Sequence, residues 1–487
     1  MQKFTGLKPK LVWKYFEEIL QIPRASKKEE KILAYLEVFA NKKNLTWKKD
    51  RIGNFLISKP AFPGYEDVKK VILQSHVDMV CEKNEAVHHN FTTDPIQAYS
   101  SDGWIRAEGT TLGADNGIGV AAQIAILADK TIEHGPLECL FTVDEESGLT
   151  GAFNIGDDLI DGKILINLDS EDEGELFIGC AGGMDTIISF PYKTKSIKHE
   201  CTAYTIKIRG LIGGHSGDDI NKGRGNANKI LARILWNAHQ QFKIGLFEFQ
   251  GGNLRNAIPR EARASFIIKN SKKKDLIDFF RNFEQILHSE LSVNEPDMVL
   301  EYVEVPLPRE IMTNKSIQKL LNTLHSCPNG VVEMSQDISG LVKTSSNLAS
   351  VRMKGDNNIE IVTSQRSSVE SLKQNVSDRI YSLFKLARCR ILQTGSYPGW
   401  TPNTNSPILK ITETSYRNLF HTAPKIKAIH AGLECGLFLK KYPTLDMISF
   451  GPTIKGAHSP DERLEIDSVS KFWALLIDVL KNIPIDI

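Results

Sequence analysis

"LECLFTVDEESG", residues 137–148, is an apolar run that ends in three consecutive acids, Asp144, Glu145 and Glu146. Neighbouring residues of a strand point to opposite faces of its sheet, and three adjacent carboxylates repel one another. Either a solvated turn follows a buried strand here, or two of the carboxylates have different tasks at one site. The same form recurs in "VKKVILQSHVD" (68–78) and "GKILINLDSED" (162–172). Between 78 and 137 lies "NGIGVAAQIAILAD" (116–129), which has the texture of a buried helix. Short apolar runs alternating with helical patterns predict an α/β fold with parallel strands.

The middle of the chain differs. "TAYTIKIRG" (202–210) and "EARASFIIKN" (261–270) alternate as half-exposed strands do, around the helical spacing of "NANKILARILWNAHQQF" (226–242). "SSNLASVRMKG" (345–355), "NIEIVTSQRSS" (358–368) and the helical "VESLKQNVSDRIYSLFKLA" (369–387) follow. That makes two rounds of strands with a covering helix, sharing a pattern without a sequence repeat. After 390 the first texture returns, with a helix over 406–420, a buried strand over 444–452 and a closing helix over 468–483. The predicted organisation is a discontinuous α/β domain, residues 1–184 and 391–487, with an α+β unit of residues 185–390 inserted into it.

A chain of 487 residues exceeds one ordinary core, so two domains are expected. Its 41% hydrophobic and 24% charged residues are those of a soluble globular protein, and a net charge of +1 offers no nucleic-acid footprint. The start, "MQKFTGLKPKLVWKYFEEILQIPRAS", is broken by Lys14, Glu17 and Glu18, which fits an amphipathic helix and not a signal peptide. No apolar stretch approaches the ~20 residues that span a bilayer. Seven scattered cysteines without a CxxC read as reduced thiols. These features predict a cytoplasmic protein with neither membrane nor nucleic acid as partner.

Polar residues gather where the apolar strands stop: His76 and Asp78, Glu145 and Glu146, Asp169, and His458 within "MISFGPTIKGAHSPDE". Open α/β sheets bind ligands beyond the carboxyl ends of their strands. Asp115, in "LGADNGIG", joins the set at the start of the buried helix. Histidines and carboxylates without cysteine suit Zn²⁺, Mn²⁺ or Co²⁺. Five ligands exceed one catalytic zinc and suit two ions sharing a carboxylate. Singly, each has a plainer explanation: Asp115 as a helix cap, Asp169 as a turn residue, His76 as a core histidine. Four strand ends carrying such residues together argue for a site. Asp78, two residues after His76, lies on the same face and can orient its imidazole.

Beyond these residues, "SHVDMV", "GTTLGADNGIGVA", "TVDEESGLTGA", "INLDSEDEGELFIGCAGG", "GLIGGHSG", "RNAIPRE", "YPGW", "IHAGLECGLF" and "SFGPTIKGAHSPDE" stand in one order along the chain. Together they resemble the aminoacyl-histidine dipeptidases, also called cytosolic non-specific dipeptidases or peptidase D, of the M20 metallopeptidase superfamily. The resemblance runs from about residue 5 to about residue 485. It implies a zinc-peptidase catalytic domain with an inserted lid. His76 and Asp169 would hold one zinc, Glu146 and His458 the other, and Asp115 would bridge them, with a cis Asp115–Asn116 peptide. Mn²⁺ or Co²⁺ are possible substitutes. Asp78 would steady His76. Glu145 would act as general base on a water shared by the ions and return the proton to the leaving amine. His215 in "GGHSG", otherwise a loop histidine, would stabilise the oxyanion from the lid.

Substrates implied are unblocked dipeptides, Xaa-His among them, and a homodimer is expected. Arg366 in "TSQRSS" is the candidate for the substrate carboxylate, with Asn256 in "RNAIP" as a polar contact. Glu434 in "HAGLECG" is the candidate for the ammonium. Each of the three is equally readable as a surface or turn residue. The alternatives are an N-acyl amino acid deacylase or aminopeptidase of the same superfamily, or a non-catalytic metal-binding relative. "GIGVAA" (117–122) also matches the GxGxxA of nucleotide-binding oxidoreductases, but no apolar strand precedes it.

Overall fold

The computed structural model describes residues 4, 6–197 and 200–486. The chain divides into two compact units. One is Met1–Gly179 with Pro402–Ala428 and Glu434–Ile487; the other is Cys180–Thr401 with Ile429–Leu433. Strands Gly182–Pro191 and Arg390–Tyr397 span the boundaries expected from sequence, and both lie in the second unit.

The first unit is built on an eight-stranded mixed sheet. Its order is Thr46–Lys49, Phe55–Lys59, Leu137–Thr142, Val71–His76, Ile164–Asn167, Asp446–Ser449, Glu175–Cys180, Lys425–Ile429. The four strands from Leu137–Thr142 to Asp446–Ser449 run parallel, and Phe55–Lys59 and Glu175–Cys180 pair with them antiparallel. Three of the parallel strands, "LECLFT", "VILQSH" and "ILIN", are buried at every position. Burial on both faces explains why they read as unbroken apolar runs and not as alternating ones. Parallel pairing also puts their carboxyl ends on one side.

Helix Ala114–Ala128 packs on Val71–His76 and on the helix Lys10–Leu20. Helices Pro407–Phe420 and Ile466–Lys481 pack together, the former also on Asp446–Ser449. A second, four-stranded sheet orders Ile454–Lys455, Arg463–Glu465, Trp104–Ala107 and Ala98–Ser101. Among the described residues no helix is long and apolar enough to cross a membrane.

The second unit carries the two rounds as two halves of one antiparallel sheet. One half runs through strand Cys201–Arg209, helix Ala227–Phe242, strands Gly245–Gly251 and Ala262–Lys269, helix Lys273–Leu291 and strand Val299–Val305. The other runs through strand Gly182–Pro191, helix Asn314–Ser326, strands Val342–Lys354 and Asn358–Ser367, helix Glu370–Leu386 and strand Arg390–Tyr397. Their strand orders mirror each other across the pairing of Gly251 with Val351. In Cys201–Arg209, Tyr204, Ile206 and Ile208 enter a core with Leu235, Phe280, Leu320 and Phe384 of the four helices. Lys207 and Arg209 alternate to the exposed face. The helices therefore cover one face of this sheet.

Candidate active site

The sequence-predicted metal ligands of the first unit come together. His76 ends its strand; Glu145 and Glu146 lie just beyond Leu137–Thr142, and Asp169 just beyond Ile164–Asn167. Asp115 sits in the first turn of Ala114–Ala128, with non-helical backbone angles and a cis peptide to Asn116. His458 lies in the hairpin loop joining Ile454–Lys455 to Arg463–Glu465. His76 Nε2 is 3.1 Å from Asp115 Oδ1 and 3.3 Å from Asp169 Oδ1. His458 Nε2 is 3.0 Å from both Asp115 Oδ2 and Glu146 Oε2. His76, Asp115 and Asp169 form one group, and Asp115, Glu146 and His458 another; within each, the ligand atoms lie within 4.8 Å of one another. Asp115 belongs to both, with one oxygen toward each imidazole. It does not cap its helix: the N-cap is Gly113, with no side-chain cap.

The three acids that open this stretch divide their tasks. Asp144, at φ 51°, turns the chain, and its carboxylate accepts from the hydroxyls of Ser147 and Thr150. Its N–H donates to Glu29 Oε1 at 3.0 Å. Asp144 is therefore buried structure and not a solvated turn residue. Asp78 does more than approach the His76 imidazole, 3.4 Å away. Its two oxygens also accept the backbone N–H of Glu145 at 3.1 Å and of Glu146 at 3.3 Å. One buried carboxylate thus orients a histidine and pins both following acids outside strand geometry.

Sequence reasoning missed the groups beneath these ligands. Arg24 of "IPRAS" is buried, and its guanidinium donates to the carbonyls of Val77, Asp78 and Gly113. A Cβ at Gly113 or Gly117 would come within 2.6 Å of Arg24 Nη2. At Gly119 it would come within 2.1 Å of Asn116 Oδ1. The glycines of "GADNGIG" make room for protein side chains, and the oxidoreductase explanation of that motif falls. The Asn116 amide donates to Asp169 Oδ1 and to Leu168 O. Glu462, four residues after His458, holds the entry to the Asp115 helix. Its place in "HSPDE" was the one available signal; a lone arginine in "IPRAS" gave none.

Burial and crowding set the charges. Burial lifts Asp169 to about 6, against the pull of His76 and with the push of Asp115 and Glu146. Glu171 rises to about 8 through burial beside Asp115 and Asp169. Burial also lifts Glu145 well above the usual range, opposed by His76 and helped by the neighbouring acids. His458, bonded to Asp115 and Glu146, rises to about 11. For His76 burial opposes the charged form, but Asp169, Asp115 and Asp78 outweigh it and hold the imidazole well above its ordinary value. Carboxylates that resist ionisation beside imidazoles that keep their protons mark a site short of positive charge. Glu146 Oε1 is buried without a donor. This nitrogen–oxygen set fits divalent cations of the Zn²⁺, Mn²⁺ or Co²⁺ kind, and no cysteine belongs to it among the described residues.

Glu434 opens the helix Glu434–Lys441 and is fully buried. Its Oε2 accepts from Gln74 at 2.5 Å and Thr142 at 2.8 Å, its Oε1 has no donor, and burial lifts it to about 8. It is neither a surface nor a turn residue.

The remaining candidates lie in the second unit, where they also meet. Gly214–His215 pairs antiparallel with Ala257–Ile258, and the exposed Asn256 accepts the Ser216 N–H through its carbonyl at 2.8 Å. Arg366 is 92% buried, which overturns its surface reading. It donates to Tyr397 Oη at 3.1 Å and reaches His215 Nε2 at 3.5 Å. His215 Nδ1 is 3.1 Å from Asp218 Oδ2.

The chain resembles known proteins along its whole length. The chain is 43% identical over 484 residues to the cytosol non-specific dipeptidase of Escherichia coli (strain K12), covering 99% of this chain and 100% of that one. The crystal structure of aminoacylhistidine dipeptidase from Vibrio alginolyticus superposes with a TM-score of 0.93 at 42% identity, covering all of both chains. A Staphylococcus aureus tripeptidase, at 16% identity, a TM-score of 0.62 and coverage of 98% and 99%, shares the fold. Residues 72–482 match the profile of Peptidase family M20/M25/M40. With that match over most of its length, and with paired histidine–carboxylate groups at the strand ends, the chain belongs to Peptidase family M20/M25/M40 and is a metallopeptidase that uses divalent metal.

Proposed function

We propose that this chain hydrolyses the peptide bond of unblocked dipeptides, Xaa-His among them, with two divalent ions, zinc by preference. One observation carries the reading: Asp115 offers Oδ1 to His76 and Oδ2 to His458, as a carboxylate shared by two ions requires. His76 and Asp169 would hold one ion, Glu146 and His458 the other. Two relatives above 40% identity along the whole chain are named as dipeptidases, which supports the substrate class.

Bound ions of this kind polarise the peptide carbonyl and make water acidic enough to ionise near neutral pH. Glu145 takes the proton of the attacking water and passes it to the leaving amine. Its raised proton affinity suits a group that must hold a proton midway through the reaction. Asp78 fixes the backbone of Glu145 and Glu146 while steadying His76. His215 donates to the oxyanion, and Arg366, kept in place by Tyr397, grips the substrate carboxylate with Asn256 beside it. Glu434 Oε1 receives the substrate ammonium. The second unit acts as the lid, residence is cytoplasmic, and the working form is a homodimer, which light scattering would test.

The decisive test is a panel of dipeptides, Xaa-His included, beside N-acyl amino acids and tripeptides, assayed with the wild type and Glu145→Gln. Dipeptide hydrolysis is expected from the wild type. Glu145→Gln should keep its ions and lose about 10²–10⁴-fold in kcat. Cleavage confined to N-acyl amino acids would make the chain a deacylase instead.

A further inference from the structure

We propose that Glu462 is a positioning residue that clamps the Asp115 loop, so that the shared carboxylate and the His458 loop bind the second ion as one preformed unit. The inference rests on reading Asp115 as the shared ligand. Glu462 is buried, and its carboxylate accepts four consecutive backbone N–H groups: Leu112 at 2.7 Å and Gly113 at 2.9 Å on Oε2, Ala114 at 2.7 Å and Asp115 at 3.2 Å on Oε1. These are the otherwise unpaired donors at the start of the helix that carries Asp115, and a carboxylate there also meets the positive end of the helix dipole.

The clamp comes from the same hairpin loop as His458. That hairpin is pinned on both sides, by the pairing of Ile454 with Leu464 and of Arg463 with Arg106. One loop therefore grips Asp115 twice: His458 Nε2 meets its carboxylate at 3.0 Å, and Glu462 meets its backbone. Arg24 also holds this segment, donating to the carbonyl of Gly113. His76 ends a sheet strand and Asp169 follows one by two residues, whereas His458 lies within the hairpin loop itself and is half-exposed. Loss of the clamp should therefore loosen the ion held by Glu146 and His458 more than the ion held by His76 and Asp169.

The test is calorimetric titration of the metal-depleted full chain with Zn²⁺ and Mn²⁺, comparing wild type, Glu462→Gln and Leu476→Ala. Leu476, buried in the closing helix, controls for lost stability alone. Glutamine keeps the shape but replaces one acceptor oxygen with a donor. The expected result is two ions in the wild type and in Leu476→Ala. In Glu462→Gln one ion should be retained and the other weakened by about 10–100-fold, the usual effect of losing a group that orients ligands. Two ions at wild-type affinity in Glu462→Gln would overturn the clamp and leave the two-ion reading standing. No binding by the wild type would overturn both.

Hydrogen exchange on the metal-depleted wild type decides the matter if the variant does not fold. The amides of 112–115 should be as protected as those of the helix that follows. Exchange as fast as that of an unstructured peptide would overturn the clamp.

Discussion

Two clusters of buried acids lie side by side in the first unit, and they differ in what meets their oxygens. Glu29, Asp78 and Asp144 crowd within 4.8 Å, yet each carboxylate accepts from N–H or O–H groups: Lys27 and Asp144, Ser26, Glu145 and Glu146, Ser147 and Thr150. Asp115, Glu146 and Asp169 have two imidazoles and the Asn116 amide, and Glu146 Oε1 has nothing. The first cluster is complete as protein, and the second is short of donors, as the proposed metal site would be. Proximity of acids does not separate the two cases; the supply of donors does.

Substitutions that respect this difference should have unequal results. Asp115→Asn removes the shared anion, so activity should vanish and at least one ion should be lost by elemental analysis. Retention of both ions would put the shared ligand elsewhere. Acidity comes next. His76 and His458 hold protons well above pH 7 in the ion-free site, and ions need neutral imidazoles. Binding therefore expels up to two protons, and affinity should rise about 10- to 100-fold per pH unit between pH 6 and 8. Flat affinity across that window would contradict the ligand assignment. Asp78→Asn, which touches both clusters, should weaken metal by about 10–100-fold with the fold intact. The smallest effect on the ions belongs to Asp144→Asn. It should cost about 1–3 kcal/mol of stability by thermal unfolding and leave metal titration unchanged. Metal loss in this variant would erase the distinction between the clusters.

The ligand-bearing strands were legible because burial on both faces makes each parallel strand an unbroken apolar run, and the residue where the run breaks is the residue at the sheet's edge. His76, Glu145, Glu146 and Asp169 follow from that alone. Asp115 and His458 joined that set from the start of a buried helix and from a stretch beyond an apolar strand, and the family motifs added the pairing of the ligands and the sharing of Asp115. The separate fate of Asp144 was not readable: its role depends on a left-handed turn and on Glu29, 115 positions away. Arg24 and Glu462 escaped for the same reason, because each acts on the backbone of a distant segment and backbone groups have no letter in a sequence. The two halves of the second unit appeared as a shared rhythm, whereas their mirrored order depends on a strand pairing that rhythm does not encode.

Arg24 has a consequence for how the site exists before any ion arrives. Its guanidinium fills the space that side chains at 113 and 117 would take; burial disfavours its charge, and Glu462, Asp78 and Asp115 oppose that effect. The acid-rich pocket thus has a resident counter-ion, covalently tethered and permanently charged. The ion-free protein need not fold around bare repulsion. A side chain placed at Gly113 or Gly117 would act first by evicting that counter-ion, and only second by its bulk.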